Sequence, residues 1–135
     1  MSSRTIFLSR LIGLFCILFV PSMIIYRQAG MDAVAGLLHS SSEMLVLSFI
    51  TLAVGLAMVL AHNIWSGGAL TVVVTLVGWL TLIKGLFFLY LLPYVGAEYL
   101  LKVLQHPHLF YVCMAPSLII GIYLTYGGFT LKSHS

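Results

Sequence analysis

The chain has 135 residues, of which 61% are hydrophobic and 7% charged, with a mean hydropathy of +1.15. So few charges cannot cover a water-facing surface, which takes about a quarter of the residues in an ordinary soluble domain, so most of this chain must have lipid as its solvent. The formal charge of +3 comes from six scattered Lys and Arg that form no stripe, which speaks against nucleic acid as a partner and leaves these residues as topology signals.

The first apolar segment is predicted from about residue 5 to 26. Arg4 and Arg10 precede a greasy run, as in a signal peptide, but no small-x-small cleavage pattern follows, and Pro21 breaks the end of the run. It reads as a retained signal-anchor helix whose Arg10 carries its charge back to the interface. Arg27–His39 is a mixed connector in which Met31–Leu38 suits a short interfacial helix. Ser40 followed by Glu43 is a capping-box pattern at the start of the second span, predicted over 43–61.

Within that span Ser48, Gly55 and His62 recur every seven residues and share a face with Thr51, a stripe that lets a neighbouring helix come close. The turn His62–Gly68 is short, and Gly67 and Gly68 end any helix there. The third span, 69–92, carries Thr71, Thr75, Gly78 and Gly85 on one stripe, matching that of the second span. Lys84 sits on another face with Val77, Leu80, Thr81 and Phe88. Pro93 stops this span. A second connector bears Glu98, Lys102, His106 and His108, with an interfacial helix expected over 95–104. The fourth span, 109–128, contains Pro116 and is expected to close at Gly127–Gly128.

The expected fold is therefore a single all-α transmembrane domain, a bundle of four transmembrane helices running up-down-up-down, with the second and third as a tight central hairpin. Arg4, Arg10 and Lys132 fall on the side of the termini, against Arg27 and Lys102 on the other, so the positive-inside bias favours cytoplasmic termini by one residue.

Lys84 is the one ionisable group placed deep in a span. If the two hairpin helices start level at the turn, Glu43 and Lys84 differ in depth by about 4–5 Å. Two readings follow: an intramembrane Glu43–Lys84 ion pair, or a Lys84 that snorkels to the interface near Pro93. His62, Asn63 and Trp65 suit a polar cap and anchor where the second helix meets the headgroups, or alternatively a headgroup or partner contact. Gly55, Gly78 and Gly85 are the expected helix-packing positions. No metal site or cofactor is expected. His106 and His108 lie across the membrane from His62, and no histidine lies inside a span to hold a haem. Cys16 and Cys113 form no CxxC, Asp32 is the lone aspartate, and no nucleophile motif or phosphate loop occurs, so an enzyme is not the expected class.

The residues His62, Asn63 and Trp65, then Thr75, Leu76, Gly78, Trp79 and Leu80, then Lys84 and Gly85, make an HN-x-W … T-L-x-G-W-L … K-G pattern. In this the chain resembles a group of small bacterial four-span integral membrane proteins that carries no assigned reaction, ligand or partner. The resemblance covers about a third of the chain and implies a bacterial inner-membrane location. Small multidrug exporters would place a carboxylate in the first span, which here carries Arg10, and membrane thiol oxidoreductases would need a CxxC. The expectation from the sequence is a non-enzymatic integral inner-membrane protein, an accessory subunit of a larger complex or a homo-oligomer. The alternative is a small transporter or channel that forms its path by oligomerising around Lys84 and Glu43.

Overall fold

The computed structural model describes residues 2–91 and 97–130. Six α-helices are described: α1 (Ser3–Ile25), α2 (Arg27–His39), α3 (Ser41–Ala61), α4 (Ala69–Leu86), α5 (Ala97–Gln105) and α6 (Pro107–Thr130). A wider π-helical turn, Phe87–Leu91, extends α4. Four stretches are long and apolar enough to cross a membrane: α1, α3, α4 with its π turn, and α6. In lipid the backbone must satisfy its own hydrogen bonds, so an apolar chain of this composition has little choice but helix.

Each start and stop has a local cause. Ser2 caps α1 by accepting from the Thr5 amide at 3.3 Å. Pro21 lies inside α1, and the helix ends a turn later at Tyr26, so that α2 begins without a loop and takes in the whole 27–39 connector. Ser40 is extended and accepts from the Glu43 amide at 3.4 Å, the forward half of the expected capping box. Pro107 opens α6, where its missing N–H costs nothing.

The helices form two antiparallel pairs. α1 pairs with α6: a Cβ added to Gly13 would lie 2.6 Å from the Thr125 backbone nitrogen, and one on Gly121 2.6 Å from Cys16 Cβ. α3 pairs with α4 at the expected glycines. A Cβ on Gly85 would lie 2.7 Å from the Leu52 Cα, one on Gly55 would run into the Leu82 backbone, and one on Gly78 would press on Met58 at 3.2 Å. The pairs join through α4, whose Leu70 and Val74 meet Leu124 of α6 in a fully buried cluster flanked by Leu8, Ile12 and Ile120. Among the described residues α3 meets neither α1 nor α6. The hairpin is tight as expected, but only its α4 limb is central.

Two expectations need correction. α6 runs through Gly127–Gly128 to Thr130 rather than closing there, because those glycines admit neighbours: Gly127 faces Leu70, and Gly128 faces Ser9 and Arg10. The second concerns 62–68 and bears on the site. The interfacial helix of the second connector is described over Ala97–Gln105, and its expected start at Val95, like the stop at Pro93, lies outside the described residues.

Candidate functional site

The segment 62–68 is not a short turn at the end of two level helices. It runs back along the first two turns of α4. The Thr75 hydroxyl, buried in α4, accepts the Ile64 amide at 3.3 Å and lies 2.8 Å from the Ile64 carbonyl, to which it can donate. Asn63 Oδ1 accepts two indole N–H groups, from Trp65 at 2.8 Å and from Trp79 at 3.3 Å. Gly67 and Gly68, with φ of 100° and 118°, then turn the chain into α4.

This changes the roles expected of the HN-x-W residues. His62 does end α3, but through its backbone, whose N–H bonds the Met58 carbonyl at 2.8 Å. Its imidazole is buried, and neither ring nitrogen has a hydrogen-bond partner. Burial pushes the imidazole below its ordinary pKa. The Thr71 backbone acts in the opposite sense, short of a formed hydrogen bond. Asn63 clasps the 62–68 segment to Trp79 of α4, and Trp65 braces the same amide from within the segment. Trp65 is largely exposed.

The same geometry sets the register of Lys84. Because Gly85 faces Leu52, Lys84 lies near the level of Ala53. Glu43 is about ten residues farther along α3, roughly 15 Å away in depth. The expected 4–5 Å mismatch assumed that both helices begin level at the turn. The return of 62–68 along α4 shifts the register by about two turns. Gly85 turns toward α3, and Lys84, about 100° around the helix, turns toward α1 and α6. The structure therefore does not bring Glu43 and Lys84 together. Glu43 is exposed at the first turn of α3.

Lys84 instead opens onto a crevice of about 190 Å³ between α1, α4 and α6. Its ammonium lies 5.4 Å from the centroid of the Phe88 ring, one turn onward. Thr81, Cys16 and Ser117 line the crevice with it, from three different helices. The Thr81 hydroxyl donates to the Val77 carbonyl at 2.8 Å and keeps its lone pairs free to accept. The remaining lining is apolar: Ile12, Val77, Leu80 and Ile120. The sequence had grouped Val77, Leu80, Thr81, Lys84 and Phe88 on one face, and that grouping holds. What it did not show is that α1 and α6 complete the opposite wall, since helix pairing across the chain leaves no periodic trace.

Two cationic contacts also went unread. Arg10 Nε donates to the Gly128 carbonyl at 2.8 Å, with its guanidinium over Phe129, so it locks α1 to α6 rather than simply snorkelling. Arg27 donates to the Gln105 carbonyl at 2.9 Å and covers the buried Phe110, tying the start of α2 to the α5–α6 junction. No family model, no curated protein and no solved structure matches the chain.

Proposed function

We propose that this chain is a multi-pass protein of the bacterial inner membrane that handles a ligand at the Lys84 crevice, a small transporter or channel that builds its path by oligomerising. The single observation that carries this reading is the company Lys84 keeps. It shares a crevice with Thr81 of its own helix and with Cys16 and Ser117 of two others, and among the described residues it has no carboxylate partner. A lysine kept only for structure would be expected to have its charge satisfied within the fold, whereas intramembrane cations that face a cavity mark binding sites and pathways. Glu43 belongs to a different face and has no part in this site.

The accessory-subunit reading has its own support in the outer face of α3, where Leu45, Phe49 and Leu56 are exposed and α1 and α6 are absent. The cytoplasmic placement of the termini rests on the charge bias alone. Affinity purification from native membranes, followed by mass spectrometry of intact assemblies, separates the two. A homo-oligomer carrying a small bound molecule that Lys84→Met loses supports the transport reading. Reproducible recovery in a larger complex, with no ligand dependent on Lys84, replaces it with the accessory reading.

A further inference from the structure

The crevice is polar at one end and apolar at the other, and the direction of that gradient identifies an occupant. α1 and α4 run from the termini side of the bundle to the connector side, and α6 runs back. Thr81 and Lys84 lie beyond Val77 on α4, and Ser117 precedes Ile120 on α6, while Cys16 of α1 packs at Gly121, level with Ile120. On α4 and α6 the polar lining is thus nearer the connector side, and the apolar lining, with Cys16, nearer the middle of the bundle. This is the orientation of an amphiphile standing in the connector-side leaflet.

Depth and charge agree with it. α4 with its π turn spans 23 residues, about 34 Å, somewhat more than a hydrocarbon core of about 30 Å. Lys84 precedes Leu91 by seven residues, about 10 Å, and its stem can lift the ammonium most of that way to the edge of the core. Phe88 stands on that upward path, with its ring near the ammonium. One cation with no carboxylate beside it among the described residues suits a head with a single negative charge.

We propose that the crevice holds one acyl chain of an anionic phospholipid from the connector-side leaflet, with its phosphodiester on the Lys84 ammonium and its second chain left in the bilayer. The chain lies along Ile12, Val77 and Ile120, a run of about 10 Å below Lys84. This rests on the reading of the Lys84 crevice as the working site and names what that site takes.

The test uses the full chain in nanodiscs of phosphatidylglycerol and phosphatidylcholine with identical acyl chains, transferred to detergent and weighed intact. The expected result is one phosphatidylglycerol retained per chain in preference to phosphatidylcholine. Lys84→Met should lower that preference about tenfold, the scale of one charge-assisted hydrogen bond, and Lys84→Arg should keep it. Ile120→Trp, which fills the apolar end and leaves the charge in place, should lower retention of phosphatidylglycerol while helical circular dichroism stays unchanged. Equal retention of the two lipids by the wild-type chain, or an unchanged preference in Lys84→Met, overturns the proposal. So does capture of added oleate in place of phosphatidylglycerol. If phosphatidylglycerol shows no preference but another small molecule is held through Lys84, the lipid assignment falls and the crevice remains the working site. If nothing is held through Lys84, both fall.

Discussion

The indole N–H of Trp79 reaches Asn63 Oδ1 at 3.3 Å, and the same oxygen takes the Trp65 indole at 2.8 Å. Both tryptophans of the chain therefore converge on one amide, which pins the 62–68 segment against α4. Trp79→Phe removes one donor along with part of the ring and should cost at least about 0.5–1.5 kcal/mol, while Asn63→Ala strips the acceptor from both indoles and should cost more. Reversible unfolding in mixed micelles measures both. Additive losses in the Trp79→Phe, Asn63→Ala double mutant would show that the Trp79 indole does not bond Asn63.

Thr75 holds the same segment from inside the helix, bonding the Ile64 amide and carbonyl. Thr75→Val keeps the shape and leaves both Ile64 groups without a partner in a partly buried place, so about 1–2 kcal/mol should be lost. Thr75→Ser keeps the hydroxyl and should recover most of it. Equal losses for Val and Ser would place the role in the methyl group rather than the hydrogen bonds.

Two glycines make a contrasting pair. Gly85 faces the Leu52 backbone, where a Cβ has no room, whereas nothing lies within 4 Å of a Cβ on Gly36. Gly85→Ala should destabilise the fold by about 1–3 kcal/mol through separation of α3 and α4. Gly36→Ala should stabilise α2 by up to about 1 kcal/mol. The sign of each change in unfolding free energy checks the assignment.

The spans, the antiparallel hairpin and its glycines were legible because a hydropathy run and a seven-residue stripe are periodic along one helix. The register of the hairpin was not. It depends on whether 62–68 leaves the membrane or doubles back along α4, and the residue that decides this is Thr75, a threonine that on its own reads as one more small packing position. The Glu43–Lys84 pairing failed for that reason. Gly127 and Gly128 misled in a related way, since a glycine pair marks a helix end or a close approach equally well and only the presence of Leu70 and Arg10 distinguishes them.

His62 ties the hairpin to pH. Its pKa is depressed by burial, so the folded state prefers the neutral ring, and the stability it contributes is full above the unfolded value of about 6.5. That contribution is lost as the pH falls from there toward the depressed folded value, where the buried ring must charge. His62→Phe should flatten the difference in unfolding free energy between pH 8 and pH 5 relative to wild type. An unchanged pH dependence would show that burial of the His62 ring does not carry the slope.

The central claim is that Lys84 faces α1 and α6 and not the start of α3. Thiol crosslinking tests it directly in membranes of a Cys113→Ser chain. Lys84→Cys together with the native Cys16, which lines the same crevice, should join within one chain through a short bismaleimide. Lys84→Cys with Glu43→Cys, in a chain that also carries Cys16→Ser, should not join. A crosslink in the second chain and none in the first would contradict the account.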